Sequence, residues 1–332
     1  MKKIIVFAVI AVLVFALAAC GGKGGGGQAA GGGGGEQQDL TFVMVPKVVH
    51  EWFDAVKTGA VAQADILSKQ TGAKITIDYR APQTGDVQEQ NKILEQAAAT
   101  KPNGFALDPN DWSGNETVIR EIMAQGIPFV LFDARQPGSG VTAIAADFTK
   151  QQRMNSEVMV ELLGPEGGKV AVQPGIPTAS NHVEKFNAHI ETLKNYPQIE
   201  VIEAPPGMDD IAISQTGAAA IIAAHPDLKG FLNCDAAAPV GQAAAVEEAG
   251  KAGEILIVGA ENMMQIYEYI LSGTIYGGYA IPAVMIGEMT TTMLFHMQET
   301  ATGTWPDEVD TGLTWIGPDN AQMFMDIAKA LS

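Results

Sequence analysis

From Leu40 onward the chain alternates short runs rich in Val, Ile and Phe with amphipathic segments, the pattern of β-α units wound around parallel sheets. In the first half, strands are expected over 40–46, 74–79, 104–108, 129–133 and 142–146. Helices are expected over 51–70, 87–99 and 115–125, with Gly72 and Gly126 placed as C-terminal stops. The alternation then restarts, with strands over 169–173, 200–203, 230–233, 255–259 and 275–279 separated by helices over 180–194, 210–224, 240–249 and 264–271. One sheet of ten strands would be unusually wide, and no fixed period of about 20 to 50 residues marks a solenoid. Two α/β lobes are therefore expected. The run 285–300 is apolar on one side and carries Glu288, His296, Gln298 and Glu299 on the other. It reads as a packed amphipathic helix whose methionines fill the core.

What precedes the alternation sets the compartment. Lys2 and Lys3 give a positive start, and 4–17 is an apolar run shorter than the roughly 20 residues of a membrane span. Residues 1–19 are thus expected to be a signal peptide, with an uncleaved anchor as the alternative. Leu17-Ala18-Ala19-Cys20 resembles a bacterial lipobox, which makes Cys20 the expected lipid attachment site. From Gly21 to Gly35 the chain is almost entirely glycine, so 20–38 reads as a flexible tether to a membrane. The second cysteine is Cys234; with Cys20 lipidated no disulfide can form within the mature chain, and Cys234 is expected to be buried and inert. Export places the protein in the periplasm or on the outer face of the cell membrane. A formal net charge of −18 makes nucleic acid a poor partner and favours solubility.

In open parallel sheets ligands bind beyond the carboxyl ends of the strands, so the residues after each strand are the candidate site. The first strand leads to His50, Trp52 and Phe53, the third to Asp108, Asp111 and Trp112, and the fourth to Asp133 and Arg135. The second half offers Gln173, then Asn233 and Asp235, then Glu261. Rings that cover C–H surfaces, with carboxylates and amides that bond hydroxyls, suit a small hydroxyl-rich ligand such as a carbohydrate. Each residue also has a structural reading: Trp52 and Phe53 as core, Asp108 and Asp111 as turn caps.

These residues and several stretches around them resemble the periplasmic sugar-binding family of ribose-binding type, over essentially the whole chain from Leu40. The stretches are Trp52-Phe53 with Lys57-Thr58-Gly59-Ala60, Ile127 to Asp133, Ala224-His225-Pro226-Asp227-Leu228-Lys229-Gly230-Phe231, and Ile257-Val258-Gly259-Ala260-Glu261. The resemblance implies a type I periplasmic binding protein: two Rossmann-like lobes with parallel sheets joined by a three-crossover hinge, closing over a ligand and then recognised by an ABC permease. It implies lobes of 39–146 plus 281–309 and of 147–280 plus 310–332. Trp52 and Phe53 occupy the place of rings that stack on a sugar, and His50 that of a polar contact. The family pattern departs at Arg135, one residue displaced from its aspartate. It also departs at Asn181 and His182, which stand where an arginine is expected, at Cys234-Asp235 in place of Asn-Asp, and at Glu261 in place of Asp.

The expected ligand is a small sugar, polyol or other small polar solute, captured by a monomer without cofactor or metal. A pocket with Asp108, Asp111, Asp133, Asp235 and Glu261 against Arg135 also suits a cationic amine, through carboxylates and cation-π contact. A receptor presenting its bound form to a chemotaxis or sensor protein would use the same binding chemistry. An extracytoplasmic hydrolase is the rival class, but G-x-S-x-G, H-E-x-x-H and a phosphate-cradling G-x-x-x-x-G-K-[ST] are missing from the sequence, so no enzyme activity is expected.

Overall fold

The computed structural model describes residues 38–299 and 304–331; the leader, Cys20 and the glycine tether through 37 lie outside them. In chain order the elements are β1 Leu40–Val45, α1 Glu51–Thr71, β2 Ile75–Tyr79, α2 Val87–Ala98, β3 Gly104–Leu107, α3 Trp112–Ala124, β4 Phe129–Phe132 and β5 Thr142–Ala145. There follow α4 Phe148–Leu163, β6 Gly168–Gln173, α5 Ser180–Leu193, β7 Ile199–Glu203, α6 Ile211–Ala224, β8 Leu228–Asn233, α7 Ala238–Glu248, β9 Leu256–Val258 and α8 Met264–Ser272. The chain closes with β10 Gly278–Ala280, α9 Ala283–Glu299, β11 Glu308–Asp310, β12 Thr314–Ile316 and α10 Ala321–Leu331.

Two sheets result. The first has the order β11-β5-β4-β3-β1-β2 and the second β7-β6-β8-β9, with every neighbouring pair parallel. Phe42, Val43, Met44 and Val45 alternate across β1 yet are all buried, because helices cover both faces of a parallel sheet. Three crossings link the sheets: between β5 and α4, between β10 and α9, and between β11 and β12. Hydrogen-bonding side chains start the helices. His50, Asp86, Asp111, Asp147 and Asp210 each accept a backbone N–H from the first turn of the helix that follows, satisfying donors that have no intrahelical partner.

Four elements carried no expectation from sequence: α4, β11, β12 and α10. The first is polar along most of its surface but buries Phe148, Gln151, Gln152, Asn155, Ser156 and Met159 in tertiary contacts. The strand expected over 275–279 forms instead at 278–280 and pairs antiparallel with β12, because Gly277 breaks the extended run with φ +132°. Of the methionines expected to fill the core from α9, Met293 and Met297 are partly buried and pack against the main hydrophobic cluster, whereas Met289 is only partly buried and Met285 is exposed. Here α9 packs directly on α1, with Gly59 of α1 against the Val284 carbonyl and Gly287 of α9 against the Val56 carbonyl. Backbones that approach so closely leave no room for long side chains on the shared face. Among the described residues no helix is long and apolar enough to cross a membrane.

Candidate functional site

The carboxyl ends of both parallel sheets face one another across the crossings, and the loops there carry a buried charged cluster. Lys47, two residues past β1, is fully buried; its ammonium pairs with Asp108, which follows β3, and lies 3.5 Å from Asp133, which follows β4. The same ammonium sits 5.7 Å from the centre of the Phe53 ring. Gln90 holds the two loops in place, donating from Nε2 to the carbonyls of Pro46 (3.0 Å) and Asp108 (2.8 Å) and accepting from the Asn110 N–H. Asn110 Nδ2 in turn donates to the Lys47 carbonyl at 2.9 Å.

The second sheet contributes Asp209 from the loop after β7, Asp235 after β8, Glu261 after β9, and Lys185 on α5, all nearly buried. Lys185 Nζ lies 3.5 Å from Glu261 Oε1 and 5.4 Å from the Phe148 ring centre. Glu261 also accepts from Gln151 (3.2 Å) and from the Ile281 N–H (3.3 Å), which fastens the site to the second crossing. Asp235 accepts from the N–H groups of Ala238 (2.7 Å) and Asp209 (3.3 Å). The chain enters Asp209 through two successive left-handed non-glycine residues, Met208 at φ +59° and Asp209 at φ +55°. Each such conformation costs about 1 to 3 kcal/mol and persists where surrounding structure imposes it.

Burial sets the electrostatics. It pushes the Asp108, Asp133 and Glu261 carboxyls up, against the opposing pull of Lys47 on the first two and of Lys185 on the third. Burial, reinforced by the charge of Asp209, pushes Asp235 up to about 8. For Asp209 burial is outweighed by its electrostatic interactions with His50, His182, Lys47 and Lys185, which hold it below the usual carboxylate range. Burial drives His182 well below the ordinary imidazole range.

The two sheets meet through direct bonds. Asn181 Nδ2 donates to the Asp133 carbonyl (2.7 Å) and Oδ2 (3.0 Å), and Thr178 Oγ1 donates to the Asn110 carbonyl at 2.9 Å. Glu51, on α1, accepts the Met264 N–H at 2.8 Å, so it caps α8 from the opposite lobe, where the residue before α8 offers no side-chain cap. This is a closed arrangement. Seven buried polar atoms in and around it nevertheless have no protein partner: His50 Nε2, Trp52 Nε1, Asp108 Oδ1, Asn110 Oδ1, Asp133 Oδ1, Gln151 Oε1 and Asp209 Oδ1. Their hydrogen-bonding capacity is available to a ligand.

Of the residues singled out from sequence, His50, Trp52, Phe53, Asp108, Asp133, Asn181, His182, Asp235 and Glu261 come together here. Trp52 and Phe53 are almost wholly buried and pack edge to face, 5.1 Å between centroids. Both His50 and His182 use Nδ1 to accept a backbone N–H, from Trp52 and Ile176 respectively, which leaves the proton of the neutral ring on Nε2. Gln173 and Asn233 reach the strand ends but are committed to an amide network: Gln173 Nε2 donates to the carbonyls of Pro205 and Ser214, and Gln242 joins Gln173 to Asn233.

Arg135 stands apart. Its guanidinium pairs with Glu184 on α5 and with Glu308 on β11 at 2.7 Å, lies 3.9 Å from Asp147, and stacks 5.3 Å from the Phe148 ring centre. Asp111 caps α3, and Trp112 packs against Arg120; both line a depression of about 860 Å³ that shares none of the buried charged residues. Cys234 is buried without a disulfide. Lys47, Lys185, Asp209, Gln90 and Asn110 were not foreseen. Lys47 follows a strand by two residues, the same signal that picked out His50, whereas nothing in the local sequence marks Lys185, which reaches the site from within a helix. Among the described residues no group of three or more His, Cys, Asp or Glu side chains is placed to hold a metal ion.

Comparisons with known proteins agree with this architecture. A family model described as a periplasmic binding protein domain matches residues 41–301. The D-allose-binding periplasmic protein of Escherichia coli (strain K12) is 24% identical over 230 residues, 67% of this chain and 72% of that protein. A solute-binding protein of an ABC transporter from Burkholderia graminis C4D1M, solved in complex with D-arabinose, superposes with a TM-score of 0.77 at 25% identity, covering 85% of this chain and 96% of that one. A sugar-binding protein of a sugar ABC transporter from Bacillus halodurans gives 0.75 at 28% identity, covering 86% and 100%.

Proposed function

The chain belongs to the periplasmic binding protein domain family, with the type I fold, and from that premise we propose that it captures a small sugar or polyol between two lobes and delivers it to an ABC permease. The observation that carries the reading is the set of partnerless buried polar atoms drawn from both lobes. The amide oxygens of Asn110 and Gln151 accept, as do the carboxyl oxygens of Asp108, Asp133 and Asp209 when ionised, whereas Trp52 Nε1 and the His50 Nε2–H donate. Hydroxyl groups donate and accept at once, so a polyhydroxylated solute satisfies both kinds. The relatives named for allose, arabinose and sugar transport support the same class.

In this reading the lobes are 39–146 with 281–309 and 147–280 with 310–332, hinged where the chain crosses. The ligand would be held by His50, Trp52, Phe53, Asp108, Asp133, Asn181, His182, Asp235 and Glu261, to which Lys47, Lys185 and Asp209 are added. Export under the leader, lipid on Cys20 and the glycine tether would keep the protein at the outer face of a membrane, as a binding protein rather than an enzyme. The test is a thermal-shift screen of residues 38–332 against sugars and polyols, since a ligand that binds the native state alone raises its melting temperature. A saturable rise with a sugar or polyol is the expected result. No response across the panel would refute it.

A further inference from the structure

The charges of the cleft do not balance. Beside Asp235, whose carboxyl holds a proton, four carboxyl groups, those of Asp108, Asp133, Asp209 and Glu261, are buried at the facing strand ends with only two ammonium groups, and each ammonium is already committed: Lys47 to Asp108 and Asp133, Lys185 to Glu261. Asp235 has two backbone N–H donors. Asp209 differs from the other four. Like Asp235 it has no lysine or arginine within ion-pair distance among the described residues, but unlike Asp235 it has an oxygen, Oδ1, buried without a partner, and the residue is 6% exposed. It is also presented on the left-handed pair Met208-Asp209, a conformation the fold imposes at a cost. The field of Lys47 and Lys185 keeps Asp209 ionised despite its burial, but neither reaches it, and an ammonium delivered with the ligand supplies the direct partner it lacks.

A neutral hydroxyl compound leaves that excess negative charge in place, whereas a compound bearing a protonated amine offsets it. The same ammonium can donate to Asp209 Oδ1 while hydroxyls meet Asp108 Oδ1, Asp133 Oδ1 and Asn110 Oδ1, each also without a partner. Trp52 and Phe53 border the site, and aromatic faces attract cations as well as sugar C–H groups. Resting on the small-solute reading above, we propose that Asp209 is the counter-ion for a protonated amine on the ligand, so that the site selects a polyhydroxylated amine, an amino sugar, over the neutral sugar of the same stereochemistry.

Matched pairs test this in calorimetry on residues 38–332: glucose with glucosamine, galactose with galactosamine, mannose with mannosamine. For the pair whose stereochemistry fits, the amine binds at least tenfold tighter, and Asp209→Asn brings the two affinities within about threefold of each other. Asparagine accepts the left-handed backbone that position 209 requires, so the variant removes the charge and keeps the loop. If the neutral sugar binds as tightly as its amine, or Asp209→Asn keeps the tenfold preference, the amine assignment is overturned and sugar capture stands. If neither member of any pair binds and the wider sugar panel is also silent, both readings fall.

Discussion

At the scale of single residues the cleft is governed by burial acting on charge. Asp235 shows the consequence for pH. Its carboxyl is pushed up from an ordinary 3.8 to about 8, so the native state holds a proton there that the unfolded chain has already released. Where the folded state binds more protons, stability falls as pH rises, in this case across the interval from about 4 to 8. His189, held down to about 4 by burial, acts in the opposite sense, but only below its ordinary 6.5. Between roughly pH 6.5 and 8.5 the histidine effect has faded, and the fall that remains belongs to the raised carboxyls, Asp235 among them. Calorimetric melting temperatures should fall over that window in the wild type, and fall less in Asp235→Asn, whose amide mimics the protonated acid. An equal slope in both proteins would show that another group carries the proton. The sequence made Asp235 visible because it follows a strand; its protonation depends on burial and on the neighbouring Asp209, both of which only the fold supplies.

At the scale of elements, α1 and α9 form the contact on which the second crossing rests. They are separated by more than 200 residues, and they meet through Gly59 and Gly287. A methyl group at 287 would collide with the Val56 carbonyl and approach the Ala60 nitrogen at 2.6 Å, both backbone atoms that cannot step aside. Gly287→Ala is expected to destabilise the protein by about 1 to 3 kcal/mol, the usual cost of overpacking, despite the higher helix propensity of alanine. A lowered midpoint in urea with an unchanged slope would bear this out; an unchanged or raised midpoint would not. Helix existence was legible for α1 and α9 because their apolar periodicity is plain. Which face would be shared was not, since methionines suggested a deep core contact where the packing instead selects glycine. The polar helix α4 escaped notice for the complementary reason: beside Phe148 and Met159 its buried face is made of Gln151, Asn155 and Ser156, which hydrogen-bond to β10 and α5, and of Gln152, which bonds to Asn155 within the helix.

At the scale of the whole molecule, Arg135 acts as a strap between lobes. It follows β4 in one lobe, pairs with Glu184 on α5 of the other, and is steadied by Glu308 and Asp147. In the proposed capture of ligand by hinge closure, closing would exchange solvent contacts for such bonds, and ligand would add to the same balance. Arg135→Ala should therefore weaken ligand binding by about fivefold, in line with roughly 1 kcal/mol for a partly exposed pair. It should also enlarge the ligand-free radius of gyration by small-angle scattering while leaving the saturated value unchanged. If Arg135 touched the ligand instead, affinity would fall with no change in the ligand-free radius.

Several properties needed nothing beyond the order of residues. The alternation of apolar runs with amphipathic segments dictated α/β units on parallel sheets, because a strand buried on both faces must be apolar throughout and a crossover helix must hide one stripe. The rule that ligands meet the carboxyl ends of such strands then picked out Asp108, Asp133, Asp235 and Glu261. Tertiary structure decided the rest. Whether a polar or charged side chain enters the cleft, joins an amide network as Gln173 and Asn233 do, or bridges the lobes as Arg135 does depends on which distant groups arrive to pair with it. Charges interact through space, whereas periodicity acts along the chain, and so the fold could be read from neighbours in sequence while the site had to wait for neighbours in space.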